Sequence, residues 1–367
     1  MSAADFSGVG RVALGVARVL LSDDDVRRIV EPAVADLRFE CRTLSDRGRW
    51  GLARRRQAQG AWMLAGLVAR LYVQLRARRA RDVSWWLLVA AVAAVLIPLP
   101  ALSAIEPQLA RAQMIYGAIG LFVAALTATA SAAAIERSST KVAAISLVAL
   151  ASVALVGVEH DGARRWLSIA GLTVHVASLV APMWAVAVAG LAKRRVALPA
   201  VACAGLALVV ATRDVATAAL YALVAFAAAL HANERATAAK VGAAGVVAVG
   251  VAWSREPWLA PVPHVEGIFD VLALRGSMWP FAAAAALVAL AVGAIVVTRS
   301  ARDPFAARLA TVACFSVVAQ PLLALASSGP IPLVGYGGST VIASFAMVGL
   351  IIRARVGARD PKLGAAS

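Results

Sequence analysis

Charge is scarce in this 367-residue sequence: Asp, Glu, Lys and Arg together make up 15%. A water-soluble fold of this size has more surface than so few charges can cover. Cysteine is scarce too. Cys41 lies in a polar region, and Cys203 and Cys314 lie inside apolar runs. That spacing excludes a disulfide scaffold and a C-x-x-C metal clip, and the last two read as small buried hydrophobes. The same shortage of polar residues excludes a disordered chain. What is abundant is apolar: AVILMFWYC is 61% of the chain. A soluble domain has roughly 45–50% even with glycine counted in. With a mean hydropathy of +0.80, the chain reads as an integral membrane protein.

The formal net charge is +16, from 36 Lys+Arg against 20 Asp+Glu. In a soluble protein that excess would suggest nucleic acid. Here its distribution speaks for membrane topology instead. From Trp85 onward, apolar runs alternate with short polar breaks, predicting about ten spanning helices of about 20 residues. They fall near 85–104, 113–135, 142–158, 172–192, 197–212, 215–231, 239–254, 278–298, 306–326 and 338–352. With the N-terminus in the cytoplasm, about 30 of the basic residues fall inside and about six outside. The expectation is an all-α, polytopic membrane bundle with both termini cytoplasmic, and no nucleic-acid partner.

Residues 1–83 differ from the rest. Arginine is frequent there (Arg27, Arg28, Arg47, Arg49, Arg54, Arg55, Arg56), and no signal-peptide pattern is present. Asp23, Asp24 and Asp25 precede Ile29, Val30, Val34 and Leu37, as in an acid-capped amphipathic helix. A second helix is expected through Met63, Leu64, Leu67, Leu71 and Leu75. Basic amphipathic helices of this kind lie on anionic membrane lipid, or dock on protein. The predicted organisation is a cytoplasmic arginine-rich prefix (1–83), a transmembrane domain (84–355) and a cytoplasmic tail (356–367).

Ionisable groups at membrane depth are costly, which makes the polar breaks on the outer side informative. Glu159-His160-Asp161-Gly162-Ala163-Arg164-Arg165-Trp166 carries paired arginines, which suit phosphate oxygens, or is a polar loop with an interfacial tryptophan. Arg213-Asp214 is a site or a local ion pair. Residues 253–276 hold Pro257, Pro261 and Pro263, then His264-Val265-Glu266 and Asp270. A helical turn there puts Glu266 and Asp270 on one face, as a catalytic pair or a solvated helix start. Pro330 to Ser339 contains two prolines and three glycines, which break a helix and must line protein or water.

These four breaks together resemble the SEDS family, the FtsW/RodA/SpoVE proteins of bacterial shape, division and sporulation. Pro330-Ile331-Pro332-Leu333-Val334-Gly335-Tyr336-Gly337-Gly338-Ser339 is similar to the family's P-L-P-(F/L)-(V/I)-S-Y-G-G-S, with Gly335 for serine. Gly162-Ala163-Arg164-Arg165-Trp166 resembles G-A-(R/Q)-R-W. Asp214 with Thr217 resembles P-D-L-G-T, with Arg213 in place of proline. His264-Val265-Glu266-Gly267-Ile268-Phe269 resembles H-T-D-F-I-F. The likeness spans about 85–355.

The resemblance implies a membrane glycosyltransferase that polymerises lipid II, or acts on another polyprenyl-pyrophosphate-linked lipid. It implies a single-span class B penicillin-binding protein as partner, and it admits a divalent cation as cofactor. Glu266 would be the general base; Asp270 stands where the family usually has a small residue, and could take over that role or do nothing. Arg164 and Arg165 would engage the pyrophosphate, and Trp166, Asp214, His264, Tyr336, Gly337, Gly338 and Ser339 would complete the substrate site. The departures are specific. Where the family's fourth span has Q-P-S-E and a later lysine, this chain has His175-Val176-Ala177-Ser178 and Ala181. The outer loop is short, and its acid is glutamate. These changes support the alternative: a non-catalytic relative that binds or flips a polyprenyl-linked lipid, or scaffolds a cell-wall assembly.

Overall fold

The computed structural model describes residues 14–15, 17–18, 26–77, 84–160, 162–169, 172–255, 267–299, 301, 303–326, 332–335 and 337–356. The chain divides into two compact units, 1–82 with 129–134, and 83–128 with 135–367.

In the first unit a π-helical turn, Val26–Val30, leads into α1 (Glu31–Asp46), followed by α2 (Trp50–Ala77). Gly48 takes φ 70° in the turn between them, a conformation that costs glycine little. Apolar residues three and four apart form one stripe on each helix: Val26, Val30 and Val34 pack with Leu64 and Val68. Cys41 packs on Ala53. The absent side chain of Gly60 leaves room for Leu37. Arg56 and Glu40 pair at 2.6 Å across the exposed side. The triad Asp23, Asp24 and Asp25 lies outside the described residues.

The second unit is helical and spans the membrane several times. Its helices are α3 (Ser84–Leu96), α4 (Leu99–Ile105), α5 (Pro107–Thr129), α6 (Ala132–Val156), α7 (Val176–Leu191), α8 (Ala197–Ala211), α9 (Val215–His231) and α10 (Arg235–Arg255). They continue with α11 (Ile268–Ala273), α12 (Met278–Arg299), α13 (Pro304–Ala326) and α14 (Gly338–Val356). Among the described residues, six segments are long and apolar enough to cross a membrane: Trp85–Ile105, Pro107–Thr129, Ala132–Val156, Arg235–Arg255, Met278–Arg299 and Pro304–Ala324. Four apolar helices, α7, α8, α9 and α14, are shorter. These ten segments correspond to the ten expected runs.

The boundaries differ where the sequence carries no clear breaker. The second run was expected at 113–135, but the helix begins at Pro107 and ends at Thr129, and the next begins at Ala132. Proline is favoured at the first helical position, and Arg111 is exposed near that end, so its charge did not have to mark the boundary. The span expected at 172–192 starts at Val176, because residues 172–175 form a strand.

Burial sorts the helices. α7 and α9 are buried along most of their length, and α9 packs against α7, α8, α10 and α13. Outer helices carry large exposed apolar side chains, including Phe122, Val148, Leu155, Val246 and Phe281. In a bilayer these face lipid, where exposure has no hydrophobic cost. Close packing uses glycine: a Cβ on Gly205 would clash with the six-membered edge of the Trp184 ring. Trp184 in turn stacks on Tyr221 with ring centroids 4.8 Å apart. On α13, buried Arg308 donates through Nε to the Ala189 carbonyl near the end of α7 at 3.2 Å.

Candidate functional site

The polar stretch after α6 is a three-stranded antiparallel meander, β1 (Val158–His160), β2 (Ala163–Ile169) and β3 (Leu172–His175), in the order β1-β2-β3. Gly162, at φ 82°, makes the first turn. Strand alternation sends successive side chains to opposite faces, and this separates the two arginines. Arg164 faces out and pairs with its cross-strand neighbour Glu159, with Nη2 2.9 Å and Nε 3.0 Å from Oε2. Arg165 faces in, is 8% exposed, and donates through Nη2 to the Arg213 carbonyl. The two guanidinium groups therefore lie on opposite faces of the sheet with separate partners, although they are adjacent in sequence.

Arg213 follows the end of α8 and takes φ 58°, a left-handed conformation that is uncommon outside glycine. This turn directs its carbonyl at Arg165 and presents the next residue, Asp214, as the N-cap of α9. Asp214 is 4% exposed. Its Oδ1 accepts from the Thr217 N–H at 2.9 Å, and its Oδ2 accepts from the Thr217 hydroxyl at 2.6 Å. His175 Nε2 stands 3.3 Å from Oδ2. Burial works against the charge of this carboxyl. The hydrogen bond from His175, the Arg165 guanidinium and the Thr217 hydroxyl outweigh it and hold the group well below the usual carboxylate range. Asp214 is thus a fixed anion with its oxygens occupied, and a poor proton acceptor.

His175 ends β3 and is the N-cap of α7. Its Nδ1 accepts from the Ser178 N–H at 3.2 Å and lies 2.8 Å from the Ser178 hydroxyl. Its backbone N–H donates to Ser339 Oγ at 3.0 Å. Trp166 meets the imidazole edge-on, with centroids 6.0 Å apart. Beneath, the Tyr221 hydroxyl donates to the Ala177 carbonyl at 2.8 Å, tying α9 to the first turn of α7.

The segment before α14 closes this end of the site. Leu333 is buried at φ 65°, a strained conformation for a bulky side chain. Fully buried Gln113 on α5 holds the segment in place, its Nε2 3.1 Å from the Leu333 carbonyl and 3.5 Å from that of Gly335. Gly338 packs on Tyr116, where a Cβ would come within 2.8 Å of the ring. Gly337 accepts through its carbonyl from the Thr340 hydroxyl at 2.8 Å.

Trp166, Asp214 and Ser339 therefore meet at His175, which sequence reasoning did not select, and Arg165 joins them through the Arg213 carbonyl. Gln113 was also missed, though a lone amide inside an apolar helix was a usable signal. Asp270 is exposed on α11, opposite buried Ile268 and Leu272, and its carboxyl makes no hydrogen bond or ion pair among the described residues. His264, Glu266 and Tyr336 lie outside the described residues. Among the described residues no three His, Cys, Asp or Glu side chains cluster to hold a metal ion. Asp214 is ringed by donors and not by further acceptors, so these residues do not fit the divalent cation that the family resemblance admits.

A sequence profile of the FtsW/RodA/SpoVE family, described as cell cycle protein, matches residues 83–259. No curated protein matches the chain. Among solved structures, rod shape determining protein RodA of Thermus thermophilus is similar over 75% of this chain and 97% of its own, at 21% identity and a TM-score of 0.60. A point mutant of it gives the same TM-score and identity, covering 98% of that chain. A chain from a peptidoglycan synthase complex, a structure concerned with the coordination of polymerization and crosslinking, gives 20% identity and a TM-score of 0.63. It too is covered over 98% of its length, against 75% of this chain. These likenesses establish the fold.

Proposed function

We propose, because the chain belongs to the SEDS family of FtsW/RodA/SpoVE cell cycle proteins, that its role in cell-wall synthesis is polymerisation of lipid II. The observation that carries this reading is the convergence of three separated motifs at one end of the bundle. Buried Asp214 and half-buried Ser339 meet there through His175, and buried Arg165 joins them through the carbonyl of Arg213. Asp214 is committed to its donors, so the proton acceptor must be another carboxylate, and Glu266 is the matched candidate. Arg164 pairs with Glu159 on the exposed strand face, so it would meet a pyrophosphate only by exchanging that partner. A single-span class B penicillin-binding protein is the expected partner. The charge distribution favours both termini in the cytoplasm, with this site at the outer face.

A second reading is favoured by one observation: the described acid nearest the cluster is already saturated with hydrogen bonds. On this reading the chain binds or moves a polyprenyl-linked lipid, or scaffolds the assembly, without catalysis. Polymerisation of purified lipid II, with and without a transpeptidase partner, separates the two. Wild type is expected to make polymer, Glu266→Ala to lose about 100-fold or more in rate, and Asp270→Ala to stay within about threefold, as an exposed group outside the cluster. Equal product from wild type and Glu266→Ala removes Glu266 from the mechanism. No product from wild type under either condition favours the binding reading.

A further inference from the structure

We infer that His175 is the positioning residue of this site, holding the Asp214 loop, the start of α14 and the first turn of α7 in one arrangement. The inference deepens the lipid II reading and rests on it. Its basis is the number of separate tasks one residue performs. Nδ1 accepts from Ser178, Nε2 faces Asp214 Oδ2 at 3.3 Å, and the backbone N–H donates to Ser339 Oγ at 3.0 Å. The ring edge also packs on Trp166.

An ordinary helix cap does not account for this. Ser, Thr, Asp and Asn are the preferred caps, and each satisfies the helix N-terminus without a second nitrogen directed elsewhere. Imidazole has two nitrogens on different edges of a rigid ring, so it accepts at one and donates at the other. The Ser178 donors occupy Nδ1, which assigns the proton to Nε2, where it faces Asp214. Removing the ring therefore does two things at once. It leaves the buried Asp214 carboxylate short of a donor, and it frees the turn whose backbone holds Ser339. His175 acts through Asp214 and Ser339, and it is not itself placed at reacting atoms.

The test uses the full chain purified into lipid nanodiscs, with lipid II as substrate. His175→Phe keeps a flat ring and removes both nitrogens; His175→Gln keeps one acceptor and one donor. We expect His175→Phe to lower kcat about 30-fold with KM changed less than about threefold, and His175→Gln to recover to within about fivefold of wild type. A residue that only fills space gives no such rescue. Equal losses in the two variants, or none in His175→Phe, overturn the inference.

A thermal-unfolding cycle gives an independent readout. His175→Phe and Asp214→Asn are expected to be non-additive, the double variant losing about tenfold less in the folding equilibrium than the product of the single losses. If Asp214→Asn does not fold, Ser178→Ala replaces it in the cycle. Additivity overturns the inference whatever the chemistry. A coupled cycle with no polymer from any form, wild type included, supports the role of His175 and overturns the lipid II reading.

Discussion

Asp214 illustrates how a charge is kept at a helix end in a membrane protein. It caps α9, and its oxygens receive donors from Thr217 and His175. Asp214→Ala leaves those donors buried without an acceptor, which costs about 1–3 kcal/mol for a lost partner of this kind. The pH dependence follows in sign. The folded-state carboxyl titrates well below its ordinary 3.8, so its contribution is complete above that value, shrinks below it, and is lost only as pH falls through the lower folded-state value. The melting temperature of wild type is expected to exceed that of Asp214→Asn near neutral pH. The gap is expected to narrow steadily as pH falls below about 4, measured by thermal unfolding in detergent. A gap that persists unchanged at the acid end would show that Asp214 stabilises by shape and not by charge. At this scale Arg165, Asp214 and Ser339 were legible from motifs. His175 was not, because its importance depends on groups far along the chain and its local sequence reads only as a departure from the family pattern.

At the scale of elements, the ends of helices were harder to read than their existence. Apolar runs reveal ten segments, because a spanning or buried helix leaves little choice of composition. The Ala-rich stretch around Ala130 offers no strong breaker, and the break after Thr129 fell where no charge marks it. The β-meander was missed for a different reason. Three short strands carrying Glu, His, Arg and Trp look like a solvated loop until cross-strand pairing, such as Arg164 opposite Glu159, is known. One element contact is directly testable. Gly338 begins α14 against Tyr116 of α5, and Gly338→Ala forces a Cβ within 2.8 Å of that ring. Overpacking of this kind costs about 1–3 kcal/mol. The loss of thermal stability is expected to be partly recovered by Tyr116→Leu in the same chain. No recovery would place the strain elsewhere in the turn.

For the whole molecule, the low overall charge and its uneven placement make a topological statement. With about 30 of 36 basic residues assigned inside by the positive-inside rule, the proposed topology puts the meander and Asp214 outside and the Lys193–Arg195 turn in the cytoplasm. Both Arg164 and Lys193 are exposed. In a chain whose native cysteines are replaced by serine, Arg164→Cys is expected to react with an impermeant maleimide in intact cells. Lys193→Cys is expected to react only after permeabilisation, and the reverse pattern inverts the topology. Charge bias, which acts locally during insertion, carries this expectation. It could not state which polar breaks meet, since that depends on how buried α7 and α9 pack.

The left-handed turn at Arg213 limits how this chain could be brought back toward its relatives. Proline fixes φ near −65°, whereas residue 213 sits at 58° with its carbonyl bound to Arg165. Restoring the proline of the family pattern would rotate that carbonyl away and leave a buried guanidinium without it. A consensus library built from relatives therefore contains a substitution here that is conservative on paper and damaging in place. In this chain position 213 and position 165 are joined by one hydrogen bond, so a change at either is felt at both.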